Sequence, residues 1–161
     1  MAYTGVPPSN EIGRDRGCPR WTAREYLLIS ERHTSKMQNQ SRENLRRLLD
    51  WNRRHLTSTS SLSESDIAEV FAAQFVVKAN GRIHPANHSN YLDFLNGFRR
   101  NIQAIDYDLH EDVAEGSSIV VAMTARVTRL DGAVDRFEAM LLLSFDPQGL
   151  VTLWHEVYVG T

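Results

Sequence analysis

Two neighbours near the end of the chain, His155 and Glu156, are of types that can move protons. In an extended strand adjacent side chains point to opposite faces, so the two cannot serve one site together. One face would carry Val151, Leu153, His155, Val157 and Val159, the other Thr152, Trp154, Glu156 and Tyr158. A register shift of one residue exchanges the two sets, and the sequence leaves that choice open. His84 and His88 are four residues apart, a spacing at which helical imidazoles can share a metal. Pro85 argues against a regular helix face between them, and no cysteine or carboxylate trio completes a site, so no metal is expected. The single cysteine, Cys18, lies between Gly17 and Pro19 without the signature of a reactive thiol, and it excludes an internal disulfide.

Two charged runs read as solvated faces. Arg42, Arg46, Arg47, Arg53 and Arg54 lack the aromatic interleaving of a nucleic-acid patch. Asp106, Asp108, His110 and Asp112 alternate with Tyr107, Leu109, Glu111 and Val113, as on the solvent side of a strand.

The elements that would position these groups are set by periodicity. Residues 1–40 read as an N-terminal extension. Pro7, Pro8, Pro19, Gly5, Gly13 and Gly17 punctuate its first part with few large apolar residues, which predicts a mobile tail. Thr22-x-x-Glu25 is a capping box for a short helix over about 22–33, succeeded by a polar break from His33 to Gln40. Met37, in that break, is a point where translation could begin. The domain proper spans 41–161. Ser41 caps a helix with Leu45, Leu48, Leu49, Asn52 and Leu56 at helical spacing, and Ser63-x-x-Asp66 opens a second with Ile67, Val70 and Phe71 on one stripe. Phe75 to Ala79 is β-prone and ends at Asn80-Gly81. A third helix from about Ser89 carries Tyr91, Phe94, Leu95, Phe98 and Ile102 on one side.

After Asn101 the period changes from 3.6 to 2. Turns at Gly116-Ser117, Asp131-Gly132 and Asp146–Gly149 divide the remainder into four strands joined as hairpins. Helices followed by an antiparallel meander imply an α+β domain with the helices on one face of the sheet. Composition agrees: 161 residues, 42% of them hydrophobic, suffice for one core. A net charge of −2 provides no field to gather nucleic acid or an anionic membrane. No leader or membrane span is visible, and a cytoplasmic protein is expected.

The order helix, helix, short strand, helix and terminal meander resembles the NTF2-like superfamily, in its SnoaL-like and ketosteroid isomerase-like branch. The resemblance covers about Ser41 to Val159. It is carried by Ile67-Ala68-Glu69-Val70-Phe71-Ala72 leading into a strand, and by Leu143-Ser144-Phe145-Asp146 with Gly149-Leu150-Val151 before Trp154. The implied fold is a cystatin-like cone: three N-terminal helices in the hollow of a strongly curved, mainly antiparallel sheet, enclosing an apolar pocket and often dimerising through the sheet.

The resemblance also allows roles to be tested. Ketosteroid isomerases use a carboxylate base and an oxyanion pair of tyrosine and protonated aspartate, a case in general use as an example of pKa tuning. The matching positions here fall at Ala79 or Asn80, near Arg47 and near Leu141, so that chemistry lacks its residues. SnoaL-like cyclases place an acid or base in the pocket from the closing strands, where the candidates are Glu156, Tyr158 and His155. Matching to the isomerase pattern turns Glu156 inward; counting from Gly149 to the cyclase tryptophan turns His155 inward. Inward, Glu156 would be a desolvated general base with Tyr158 as donor; otherwise it is a surface or dimer-interface carboxylate, the favoured reading. Trp51, Phe71, Phe94, Phe98, Phe137, Leu141 and Trp154 are expected to line the pocket, with 82–88 a loop at its rim. The function so implied is binding of a hydrophobic small molecule by a homodimer, without a cofactor, as an isomerase-, cyclase- or dehydratase-like enzyme. The alternative is a non-catalytic interaction module whose sheet, through Met123, Met140 or Leu142, docks a partner.

Overall fold

The computed structural model describes residues 23–161. The expected tail, Cys18 and the capping residue Thr22 lie outside them. The first element is α1 (Ala23–His55), followed by α2 (Glu64–Ala68), β1 (Phe71–Ala79), β2 (Arg82–Asn87), α3 (His88–Phe98), a short 3-10 turn (Arg99–Asn101), β3 (Ile102–Glu115), β4 (Ser118–Arg129), β5 (Val134–Phe145) and β6 (Val151–Gly160).

The polar stretch 33–40 is helical, not a break. It contains no proline or glycine, and Lys36, Met37, Gln38 and Gln40 are all good helix formers, so propensity carries the helix through solvent-exposed turns. Ser41 is consequently an interior residue rather than a cap. It is 2% exposed, and its hydroxyl donates to the Gly116 carbonyl at 3.0 Å. From there the helix buries Leu45, Leu48, Leu49 and Trp51, and Leu56 is buried just past its end. Arg42 pairs with Asp112 at 2.6 Å, Arg53 with Asp106 at 2.9 Å, and Arg47 donates to the Gly149 carbonyl. Three of the five arginines therefore tie α1 to the sheet and the last hairpin. Such half-exposed pairs position the helix more than they stabilise it.

Ser63 and Asp66 form the expected capping box, but the helix lasts one turn and Phe71 begins β1 instead of extending its stripe. The Asn80-Gly81 turn has both residues at positive φ, +46° and +83°, the geometry a two-residue hairpin needs. Beyond this turn the chain forms a strand, not the rim loop expected over 82–88. β2 pairs antiparallel with β1 and lies at the sheet edge, where Pro85 removes no ladder hydrogen bond that the sheet requires. α3 starts at His88, one residue before the expected Ser89, and Asn87 caps it through a reciprocal pair with Asn90.

The six strands lie in the order β2-β1-β6-β5-β4-β3. All pairs are antiparallel except β1 with β6. A bulge between Leu109 and Glu111 reverses the facing of β3: Tyr107 lies opposite Ala125 on the inner side, whereas beyond the bulge Asp112 lies opposite Val121. Asp112 thus leaves the expected solvent stripe and meets Arg42, while Val113 turns outward and is 71% exposed. Val121, Leu141, Leu143 and Val151, all 0% exposed, form the sheet's floor, and Trp51 of α1 and Phe71 complete the packed core at this end. Each such side chain stabilises the fold by roughly 1.5–3 kcal/mol.

Candidate functional site

The facing of β6 is set by its neighbours. Leu141 and Leu143 are buried on the inner side of β5, and their partners across the ladder are Glu156 and Trp154. On the other flank, Trp154 lies beside Val77 and Glu156 beside Ala79. Trp154, Glu156 and Tyr158 therefore share the concave face. His155 lies opposite Leu142 and Lys78 on the convex face, and the count from Gly149 that would turn it inward does not hold.

The concave face opens into a cavity of about 610 Å³ between α3 and the distal halves of the strands. This is within the usual range for a small-molecule site. Of the expected lining, Phe94, Phe98, Phe137 and Trp154 border it. Trp51, Phe71 and Leu141 do not. Each is at most 1% exposed, because α1 and α2 close over that end: the Trp51 indole donates to the Asp66 carbonyl at 2.9 Å, and Phe71 packs between Trp51, Phe75 and Tyr91. Met123, expected on a docking face, also points inward and lines the cavity, while Met140 lies on the convex side.

Glu156 is the one carboxylate among the described lining residues. It is half-buried at the row where the packed floor meets the cavity, so the favoured surface or interface reading of this residue gives way to an inward-facing acid. Burial raises its pKa above the ordinary carboxylate range, with a hydrogen bond donated by Trp154 opposing. Two phenols that sequence reasoning did not single out as donors lie near enough for its charge to reach them. Burial first, and the Glu156 charge second, keep Tyr91 protonated. Burial does the same for Tyr107, against the effect of its hydrogen bond with Asn52. Asn52, 3% exposed, donates its amide to the Tyr107 hydroxyl oxygen at 3.0 Å, leaving the phenolic proton for another acceptor. Tyr158 lies two residues beyond Glu156 and packs edge-on against Phe137. Its main chain is clamped by the Asn80 amide, which accepts from the Tyr158 N–H at 2.9 Å and donates to its carbonyl at 3.2 Å.

The signals for Tyr91 and Tyr107 were their places on the apolar stripe of α3 and in the alternating run of β3; only the tertiary fold brings them to Glu156. The two histidines serve different elements. His84 lines the cavity from β2, and the His88 ring meets the Phe71 carbonyl at 3.0 Å. Of Ala79 and Asn80, the two positions matched to the isomerase base, neither carries an acid, and Glu156 lies beside Ala79 on the adjoining strand.

No family model matches the chain, and no curated protein matches it. Solved structures do. An LEH-like epoxide hydrolase of M. tuberculosis superposes with a TM-score of 0.59 at 11% identity, covering 76% of this chain and 84% of that one. A protein described as a SnoaL-like polyketide cyclase from Jannaschia sp. CCS1 gives 0.57 at 13% identity, over 77% of this chain and 87% of that one. An NTF2-like protein of unknown function from Burkholderia pseudomallei K96243 gives 0.55 at 17%, over 73% and 88%. The chain has the NTF2-like fold: helices against a six-stranded, mostly antiparallel curved sheet. Among the described residues no helix is long and apolar enough to cross a membrane.

Proposed function

We propose that this domain binds a hydrophobic small molecule in its cone and transfers a proton on it, with Glu156 as the acid–base residue. The observation that carries this reading is the desolvated Glu156 carboxyl at the boundary of an apolar cavity, within electrostatic reach of Tyr91 and Tyr107. A carboxyl whose pKa is raised by burial is a stronger base than an ordinary carboxylate and can both take and return a proton, and buried phenols can stabilise an enolate oxygen. Tyr107, held by Asn52, suits that role; Tyr158 is a second donor nearer the mouth. The reaction class is cofactor-independent isomerisation, cyclisation or dehydration of a carbonyl compound.

Solvent exchange tests this without knowledge of the natural substrate. A panel of apolar aryl ketones and enones in D₂O, followed by NMR, should lose α-protons faster with the protein than without it. Glu156→Gln should cut that gain by about a hundredfold or more while leaving ligand binding intact. The rate should rise with pH as Glu156 ionises, with a midpoint above the ordinary carboxylate range. Undiminished exchange in Glu156→Gln rejects the role.

A second reading concerns the convex face. Met140 at 52% and Val157 at 55% exposure are neighbours on the convex face of β5 and β6, and this exposed apolar pair supports a homodimer through the sheet. Sedimentation should give a dimer for the natural chain and a monomer for Met140→Lys; a monomeric natural chain counts against it.

A further inference from the structure

The row of inward-facing residues that crosses the sheet at Glu156 continues through Ala79 to Arg82. Arg82 and Glu156 are the only charged side chains among the described lining residues, apart from the histidine His84. They stand two strand spacings apart, about 10 Å, with the methyl group of Ala79 between them. They do not neutralise each other: no ion pair joins them, and Arg82 does not figure among the influences on the Glu156 carboxyl. Among the described residues the Arg82 guanidinium has no hydrogen-bonding or ionic partner. It is exposed, beside His84 on the same strand face, and lines the cavity together with the exposed rings of Phe94 and Phe98, 59% and 41% accessible. An apolar cavity thus has a half-buried carboxyl on one side and an exposed planar cation without a protein partner on the other.

We infer that the ligand of this cavity is an apolar molecule ending in an anionic group, which Arg82 holds at the mouth while the apolar body lies over Ala79 toward Glu156. A guanidinium presents a fork matched to carboxylate, sulfonate or phosphate oxygens, whereas a neutral ligand would leave it unused. Glu156 disfavours the reverse orientation, since an anion beside it would be desolvated and would oppose its ionisation. Arg82 in this role is a specificity-determining residue.

The inference rests on the cavity being a ligand site, and the test separates the two. The probes are 1-anilinonaphthalene-8-sulfonate and N-phenyl-1-naphthylamine, which share one skeleton and differ by the sulfonate; both report binding by fluorescence. Arg82→Gln should weaken the sulfonate about tenfold and the neutral probe less than about twofold, and Arg82→Lys should recover part of the loss. Added salt should shrink the difference for the natural chain. Equal effects of Arg82→Gln on both probes, or none on either, overturn the inference while leaving the cavity reading in place. Failure of the natural chain to bind either probe overturns both. Because Arg82 is exposed, Arg82→Gln should keep the melting temperature of the natural chain, which guards against a folding artefact.

Discussion

The two ends of the same sheet are built on different principles. At the closed end the inner positions are large and fully buried: Ile119 and Val121 on β4, Leu141 and Leu143 on β5, Val151 on β6. At the open end the same strands carry Ala125 and Ala139, with Ala79 on β1, and each alanine lies opposite a larger residue: Phe137, Tyr158 and Glu156 respectively. Long α1 covers the first region, whereas α3, only 11 residues, roofs the second. Packing density stabilises one end. Missing side-chain volume hollows the other, and the domain tolerates that only because the closed end holds the strands together.

Substitutions at the two ends should therefore behave differently. Leu141→Ala at the closed end should cost about 2–5 kcal/mol, because the cavity it leaves cannot collapse under α1. Phe94→Ala at the open end should cost under about 1 kcal/mol, since the ring is already largely exposed. Denaturant titration of both variants measures the gap, and equal losses would break the distinction. Filling the void should act on binding rather than on stability. Ala139→Leu adds apolar volume where space exists, so stability should change by less than about 1.5 kcal/mol while binding of the neutral naphthylamine probe falls sharply. Loss of stability without loss of probe binding would show that the cavity lies elsewhere.

Much of this arrangement is legible in the chain. The hairpin residues Asn80-Gly81 and Asp131-Gly132 and the turn at Asp146–Gly149 mark strand ends directly: Asp146 accepts from the Gln148 and Leu150 N–H groups, and Gly149 adopts φ +78° with the Asn44 side chain so close that a Cβ would meet it at 2.8 Å. Local chemistry decides such features. The facing of Glu156 is different. It depends on which residues of β5 and β1 lie beside it, a long-range pairing that no window around position 156 contains. The same limit hides β2, where Pro85 reads locally as a loop but is acceptable at an edge. It also hides the reversal of Asp112, which one bulge residue in β3 causes. The helical stretch 33–40 is obscured for the opposite reason: its polarity suggests a break, although the propensities of its residues favour a helix.

β6, the last strand in the chain, is third in the sheet and joins β1–β2 to the β3–β5 meander. During synthesis the early hairpin therefore waits, with one edge bare, until residues 151–160 have left the ribosome. Closure of the cone is a late event of high contact order, and the unpaired edges of β1 and β5 are open to the wrong partner until it occurs.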